Sequence, residues 1–245
     1  MKDLFSSQSK VYAAFRPTYP EGLYTFIFQQ LKERNAAWDC ATGNGQVAQY
    51  LSAHFAAVYG TDISQQQLDH AVKKQNIFYS KSPGEATSFH DNQFDLITVA
   101  QALHWFDRTR FYDEARRVGK RNSILAIWGY ALLYIDPLID ERIMNFYNGT
   151  VGPFWDDARR LVEQQYQTIE FPFEEIQAPE FSIRVKWTLD QLSGYFSSWS
   201  ATQKYIKEKG VDPVGPFINE LQQLWKNGEM EVTFPIFTRI GRVKK

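Results

Sequence analysis

A glycine turn with an acidic residue on each side is the strongest chemical signal in this sequence. The strand predicted at 36–41 contains Asp39 and leads into Gly43 and Gly45. The next predicted strand ends at Asp62. Glycine lets the backbone approach a ligand, and an acid at the end of the second strand accepts hydrogen bonds from ribose hydroxyls. The pattern therefore predicts a nucleoside site at the carboxyl edge of a parallel sheet.

Asp39 bears on which nucleoside binds. The turn reads Ala41-x-Gly43-x-Gly45, and a dinucleotide pattern that starts at Gly43 has Ala48 at its third position, a variant that such sites tolerate. A carboxylate at the end of the strand repels a pyrophosphate but attracts an ammonium group. This favours S-adenosylmethionine, which carries an ammonium and a sulfonium and no phosphate. A nicotinamide oxidoreductase is the enzyme alternative.

Strands and helices alternate along the first half of the chain, which predicts a doubly wound parallel sheet. We expect strands at 36–41, 57–61, 77–80, 94–100, 124–128, 171–176, 180–187 and 231–240. We expect helices at 21–32, 45–54, 64–74, 108–118, 188–207 and 213–226. The aromatic segment 130–170 breaks the alternation and is predicted to be a helical cap that grows from the sheet edge.

The composition excludes several kinds of protein. The formal net charge is −1 at pH 7, so the sequence has no basic footprint for nucleic acid. No apolar run reaches the roughly 18 residues of a membrane span, and the first residues have no signal-peptide core. Cys40 is the single cysteine, which rules out an internal disulfide. We expect a cytoplasmic protein without membrane or nucleic-acid partners.

His54, His70 and His90 have no partners at metal-ligand spacing, so we predict no metal.

The motifs together resemble one enzyme family. Those that carry the resemblance are Asp39-x-Ala41-x-Gly43-x-Gly45, Asp62, Gly84-Glu85-Ala86 and the run 95–106. They are similar to the class I S-adenosylmethionine-dependent methyltransferases. The segments 12–20, 101–106 and 198–201 are similar to the trans-aconitate-methyltransferase-like subgroup.

This resemblance implies a fold and a division of the chain. The fold is Rossmann-like, with a seven-stranded, mostly parallel sheet, a helical cap insertion and an antiparallel last strand. A single methyltransferase domain spans 1–245. Within it, residues 1–129 form the cofactor-binding core, 130–170 the cap, and 171–245 complete the sheet and supply helices on the acceptor side.

The same resemblance assigns S-adenosylmethionine as the cofactor and names its contacts. Asp62 and Ile63 belong to the ribose site, with Glu85 at the adenine amino group and Ala86 beside the adenine ring. The residues expected at the methionine part are Arg16, Asp39, Ala41, Gly43, Gly45 and Gln101. Arg16 would reach the cofactor carboxylate, and Gln101 would bind either the methionine part or the acceptor.

Four aromatic or histidine side chains are candidates for the acceptor side. His104 follows the fourth strand, where it either removes a proton from the acceptor or orients it. Tyr19 is a candidate lid residue, and Trp105 and Trp199 are candidate walls of the acceptor pocket. Each has packing as its alternative. The predicted reaction is methyl transfer to a small molecule, with a carboxylate as the suggested acceptor group. The non-enzyme alternative, which Ala41 favours, is a cofactor-binding protein without turnover.

Overall fold

The computed structural model describes residues 17–226 and 228–245, which form one mixed sheet with helices on both faces. Within these residues the strands are β1 (Ala36–Cys40), β2 (Ala57–Asp62), β3 (Ile77–Lys81), β4 (Phe94–Ala100), β5 (Gly119–Tyr130), β6 (Glu174–Glu175), β7 (Phe181–Trp187) and β8 (Met230–Arg242). The α-helices are α1 (Glu21–Gln29), α2 (Gln46–Leu51), α3 (Gln65–Asp69), α4 (Arg108–Val118), α5 (Pro137–Asn145), α6 (Arg159–Glu163), α7 (Leu189–Ser197), α8 (Ser200–Lys209) and α9 (Val214–Gln222). None of the described helices is long and apolar enough to cross a membrane.

The strand order is β3-β2-β1-β4-β5-β8, with β6 and β7 both paired to β8. Strands β1 to β5 are parallel, and β8 is antiparallel to β5. The predicted doubly wound, mostly parallel sheet with an antiparallel last strand is confirmed. The sheet has eight strands because the two-residue β6 pairs with the end of β8.

The direction of winding reverses at β1, and this creates a crevice. The chain moves outward from β1 through β2 to β3, and then β4 starts on the other side of β1. Cys40 at the end of β1 is level with Thr61 of β2 and Val99 of β4. The segments that follow these strands therefore diverge from a common edge, which is where open α/β sheets bind ligands.

Both faces of the sheet are buried, as the continuous apolar run of β4 predicts. Ile97 and Val99 face a core that includes the apolar side of α4, whereas Leu96 faces a core built with α1 and α2. Alternate residues of a strand point to opposite faces, so a single strand supplies both cores.

The segment 130–170 is shared between two cores. Its first part packs with α7, α8 and α9 in a separate aromatic cluster, in which the Phe146 ring stacks on Phe217 at 4.2 Å. Its second part returns to the sheet, where Val162 and Tyr166 join the core beneath α4. Helices α5 and α6 lie in this segment, but two short 3-10 and π turns separate them.

Three predicted elements differ most from the structure, and the other boundaries shift by up to four residues. The helix expected at 188–207 is two helices, because the Ser198 hydroxyl donates to the Tyr195 carbonyl at 2.6 Å and Trp199 takes an extended conformation. Helix α3 ends at Asp69 instead of continuing to 74. Strand β5 begins at Gly119, ahead of the expected 124, because its polar start still pairs with Phe94 of β4.

Candidate functional site

Three residues of the turn after β1 have left-handed backbone conformations. The φ angles are 54° at Ala41, 56° at Gly43 and 80° at Gly45. A side chain at Gly45 would collide with the hydroxyl of Tyr79, whereas one at Gly43 would meet no atom within 4 Å. Gly45 is therefore required by packing as well as by conformation, and Gly43 leaves space for a ligand. Ala41 adopts the same conformation at a cost of roughly 1–2 kcal/mol relative to glycine.

Asp39 holds this turn from below. Its carboxylate is 1% exposed and accepts hydrogen bonds from the hydroxyls of Thr42 and Thr98 and, at 3.1 Å, from the amide of Ala48 near the start of α2. Burial raises the pKa of Asp39 to about 6, and these hydrogen bonds oppose the rise. The residue is therefore a structural support of the turn, and its predicted contact with an ammonium group stays a prediction.

Asp62 ties the turn to the next loop. One carboxylate oxygen accepts the Gly43 amide at 2.9 Å and the other accepts the Ser64 amide at 2.8 Å. Ile63 lies between these contacts and is partly exposed. The carboxylate therefore fixes the turn after β1 to the loop after β2.

A cleft opens beside the turn, at the ends of β1, β4 and β5. Its lining residues are Pro17, Tyr19, Asp39, Ala41, Thr42, Gly43, Asn44, Gln46, Val47, Ala100, Gln101 and Tyr130. The structure thus brings five of the predicted site residues together around one space. No group of three metal-ligating side chains occurs among the residues that the structure describes.

Gln101 and Tyr19 form the far side of the cleft. Gln101 also has a positive φ, 55°, and its side-chain amide donates to the Tyr130 carbonyl at 3.2 Å. The ring of Tyr19 packs edge-on against Trp128, with centroids 5.5 Å apart. Since Tyr19 is partly exposed and bridges two cores, it lies at the surface of the cleft.

Glu85 contacts the start of α4. Its carboxylate accepts the amide of Asp107, the N-cap residue of that helix, at 3.0 Å. Ala86 is exposed, and its carbonyl accepts a hydrogen bond from the Ser82 hydroxyl. Neither Glu85 nor Ala86 lines the cleft described above.

His104 lies in a short 3-10 turn after β4 and is bound to a residue that sequence reasoning missed. Its Nδ1 is 2.7 Å from the hydroxyl of Tyr166. Burial, with a smaller effect from the positive charge of Arg159, lowers the pKa of His104 to about 3. Burial also raises the pKa of Tyr166, so both groups are neutral at pH 7. Trp105 packs beside the histidine ring at 4.7 Å.

Trp199 lies within the aromatic cluster beside α7. It is 3% exposed, and its ring is 4.9 Å from Phe196 and 5.5 Å from Tyr147. This environment is that of a core residue, and the predicted role of Trp199 in the acceptor wall stays a prediction. Arg16, which is predicted to reach the cofactor carboxylate, lies outside the described residues.

Known proteins resemble this chain along most of its length. A family model described as "Methyltransferase domain" matches residues 38–127. A candidate methyltransferase from Dictyostelium discoideum is 33% identical over 249 residues, which cover 98% of this chain and 95% of that protein. The chain belongs to the class I S-adenosylmethionine-dependent methyltransferases.

Two further relatives agree. The solved structure of a candidate type II methyltransferase from Anaeromyxobacter dehalogenans superposes on this methyltransferase with a TM-score of 0.87 and 33% identity, covering 94% of this chain and 99% of that one. A Saccharomyces cerevisiae protein, described as a candidate S-adenosylmethionine-dependent methyltransferase, is 24% identical over 94% of this chain and 92% of its own length.

The residues at the cleft fit the cofactor that the family implies. The space beside Gly43 and the position of the cleft at the reversal of the sheet suit a nucleoside that carries an amino-acid tail. Asp39, which is buried beneath the turn, is the one charged residue among the residues around the cleft. A pyrophosphate would meet no cationic side chain among these lining residues.

Proposed function

We propose that this methyltransferase transfers the methyl group of S-adenosylmethionine to a carboxylate of a small molecule. The observation that carries the proposal is the neutral His104–Tyr166 pair after β4. A histidine with a pKa of about 3 is a poor general base, because catalysis is best when this value lies near the working pH. A carboxylate needs no base, since it is already ionised at pH 7.

In this proposal the cleft holds the methionine part, which lies against the turn from Ala41 to Gly45 with Gln101 opposite. Asp62 and Ile63 hold the ribose, and Glu85 and Ala86 flank the adenine. These four residues lie outside the cleft lining, and their roles are those that the family resemblance implies. When bound, the cofactor supplies an activated methyl group whose sulfur is already a good leaving group. The protein therefore needs mainly to position the acceptor and to exclude water.

His104 is proposed to orient the acceptor. If the Tyr166 hydroxyl donates to Nδ1, the neutral imidazole carries its proton on Nε2 and can donate it to a carboxylate oxygen. No proton has to leave the acceptor when a carboxylate oxygen takes up a methyl group. A donor is consequently more useful here than a base.

The division of the chain is also proposed. Residues 1–129 bind the cofactor, 130–170 cover the acceptor side, and 171–245 complete the sheet. Tyr130 at the cleft and Arg159 near His104 both belong to the middle segment, which supports its place beside the reacting groups. Trp105 and Trp199 are the proposed aromatic walls of the acceptor pocket.

Base-labile methylation tests this function directly. The protein is incubated with methyl-labelled S-adenosylmethionine and a panel of small carboxylic acids, and the products are treated with mild base. Methyl esters release labelled methanol, whereas N-methyl and C-methyl products keep the label. Release from at least one acid is expected. Base-stable product, or cofactor binding without transfer to any acceptor, contradicts the proposal, and the latter result favours a protein without turnover.

A further inference from the structure

Arg159, the first residue of α6, has an unused set of hydrogen-bond donors. Its Nε donates to the hydroxyl of Tyr147 at 2.9 Å. Its two terminal nitrogens have no hydrogen-bond or ion-pair acceptor within the part of the chain that the structure describes. A guanidinium has five N–H donors in a planar fork, so most of the binding capacity of this partly buried cation is unassigned.

Of the three acidic side chains nearest in sequence, Asp157 is exposed and the other two bind other partners. Asp156 forms an ion pair with Lys204 at 2.6 Å. Glu163, one helical turn after Arg159, accepts the Tyr147 hydroxyl at 2.6 Å. An i,i+4 pair between Arg159 and Glu163 would be the ordinary arrangement on a helix. In the structure the Tyr147 hydroxyl instead lies between the two side chains. The two terminal nitrogens of Arg159 are therefore left to bind an anion from outside the protein.

Aromatic rings fix the position of this guanidinium. The Arg159 Cζ lies 4.8 Å from the ring centroid of Trp155 and 5.7 Å from that of Tyr147. Such cation–π contacts, together with the Nε hydrogen bond, limit the motion of a long side chain. Less ordering is then required when an anion binds, which makes the fork a preorganised receptor.

The fork lies close to the proposed acceptor donor. Helix α6, which begins at Arg159, packs against the 3-10 turn that carries His104. The positive charge of Arg159 contributes to the lowered pKa of His104 and opposes the larger effect of burial that raises the pKa of Tyr166. The neutral imidazole of His104 and the guanidinium of Arg159 therefore lie near each other. Together they match an acidic small molecule that binds through the cation and is oriented by the histidine.

We propose that Arg159 anchors a carboxylate of the methyl acceptor. This inference rests on the proposed function and deepens it by assigning a residue that selects acidic acceptors. The planar fork pairs with two carboxylate oxygens at once, which an amide or ester cannot reproduce. Arg159 acts as a binding residue and takes no part in moving the methyl group.

The test measures binding without turnover. Protein saturated with S-adenosylhomocysteine is titrated with succinate, benzoate, phenylacetate and hexanoate, and with the amide of each, by calorimetry. The variants are Arg159→Gln, Arg159→Lys, and Arg160→Gln as a control that removes the same charge from the exposed neighbour. For any acid that binds, Arg159→Gln should weaken affinity about 10- to 100-fold, the scale of a lost charge-assisted pair. Arg159→Lys should recover part of it, and Arg160→Gln should change little.

The outcomes separate this inference from the function. The anchor is overturned if the wild type binds the acids no better than their amides. It is also overturned if Arg159→Gln binds the acids as well as the wild type does, whatever reaction the enzyme catalyses. Arg159-dependent binding without base-labile methylation keeps the anchor and overturns the proposed reaction. If Arg159→Gln melts well below the wild type, Arg159→Lys decides, because it keeps the positive charge. A folded Lys variant that binds the acids no better than Arg159→Gln would overturn the anchor.

Discussion

Replacing His104 with Gln should raise the acceptor KM and leave kcat within a few-fold of the wild-type value. The lowering of the His104 pKa to about 3 means that protonating this ring in the folded state costs about 5 kcal/mol more than in a free histidine. A base so weak contributes little to proton removal. A donated hydrogen bond to a charged acceptor is instead worth about 1.5–3 kcal/mol, or at least a tenfold change in KM.

Initial rates over pH 5 to 9, at varied acid concentration, distinguish the two roles. As an orienting donor, His104 contributes no acid limb to kcat in this range. Tyr166→Phe should raise KM in the same direction, because it removes the hydroxyl bound to Nδ1. The reasoning is refuted by an acid limb with a midpoint of about 6 to 7 that disappears in the Gln variant together with a hundredfold loss of kcat.

The same pKa predicts a stability profile. Between pH 6.5 and about 3 the unfolded chain binds a proton at His104 that the folded protein does not. Stability is therefore unaffected by this group above pH 6.5 and falls as the pH decreases below it, by up to about 1.4 kcal/mol per pH unit. Denaturant unfolding should show this acid-dependent loss in the wild type and a smaller loss in His104→Gln. Parallel profiles for the two proteins would refute the shift.

Further variants test the turn, the adenine contact and the cap. Between pH 4 and pH 6 the folded wild type keeps a proton on Asp39 that the unfolded chain loses, so the wild type becomes less stable as the pH rises. Asp39→Asn lacks this loss, and its unfolding free energy relative to the wild type should therefore increase by up to about 3 kcal/mol over this range. Equal pH profiles for the two proteins would contradict this. Ala41→Gly should relieve the left-handed strain and change stability by between 0 and about 1 kcal/mol in the favourable direction, without weakening cofactor binding measured by calorimetry. Glu85→Gln should weaken the binding of adenosine analogues that keep the amino group more than the binding of those that lack it. An equal loss of affinity for both would contradict a contact between Glu85 and the amino group. Trp199→Ala should cost about 3–5 kcal/mol of unfolding free energy as a core truncation, and its predicted wall role requires the acceptor KM to rise more than the cofactor Kd.

Much of the cofactor side was predictable because its signals are local. The glycines, the acid at the end of β2 and the apolar run of β4 are contiguous patterns whose positions in the sheet follow from strand pairing. The roles of the acids were less predictable. Nothing in the sequence shows that Asp39 supports the turn through Thr98, a residue 59 positions away.

The acceptor side was less predictable because its contacts join distant segments. His104 and Tyr166 are 62 residues apart, and no spacing rule links them. Arg159 looks like an ordinary helical charge until Glu163 is seen to bind Tyr147 instead. The helix break at Ser198 was also missed, since it depends on a local side-chain bond that competes with helix continuation.

The central claim is that the glycine turn after β1, together with Asp62 beside it, binds the methyl donor. Calorimetric titration with S-adenosylhomocysteine and with NAD tests it on the wild type, on Asp62→Asn and on the exposed control Asp69→Asn. The account predicts S-adenosylhomocysteine binding to the wild type, weakening of at least about tenfold in Asp62→Asn from the lost charge-assisted bonds, little change in Asp69→Asn, and no NAD binding. Unchanged affinity in Asp62→Asn, or NAD binding that competes with S-adenosylhomocysteine, would contradict it.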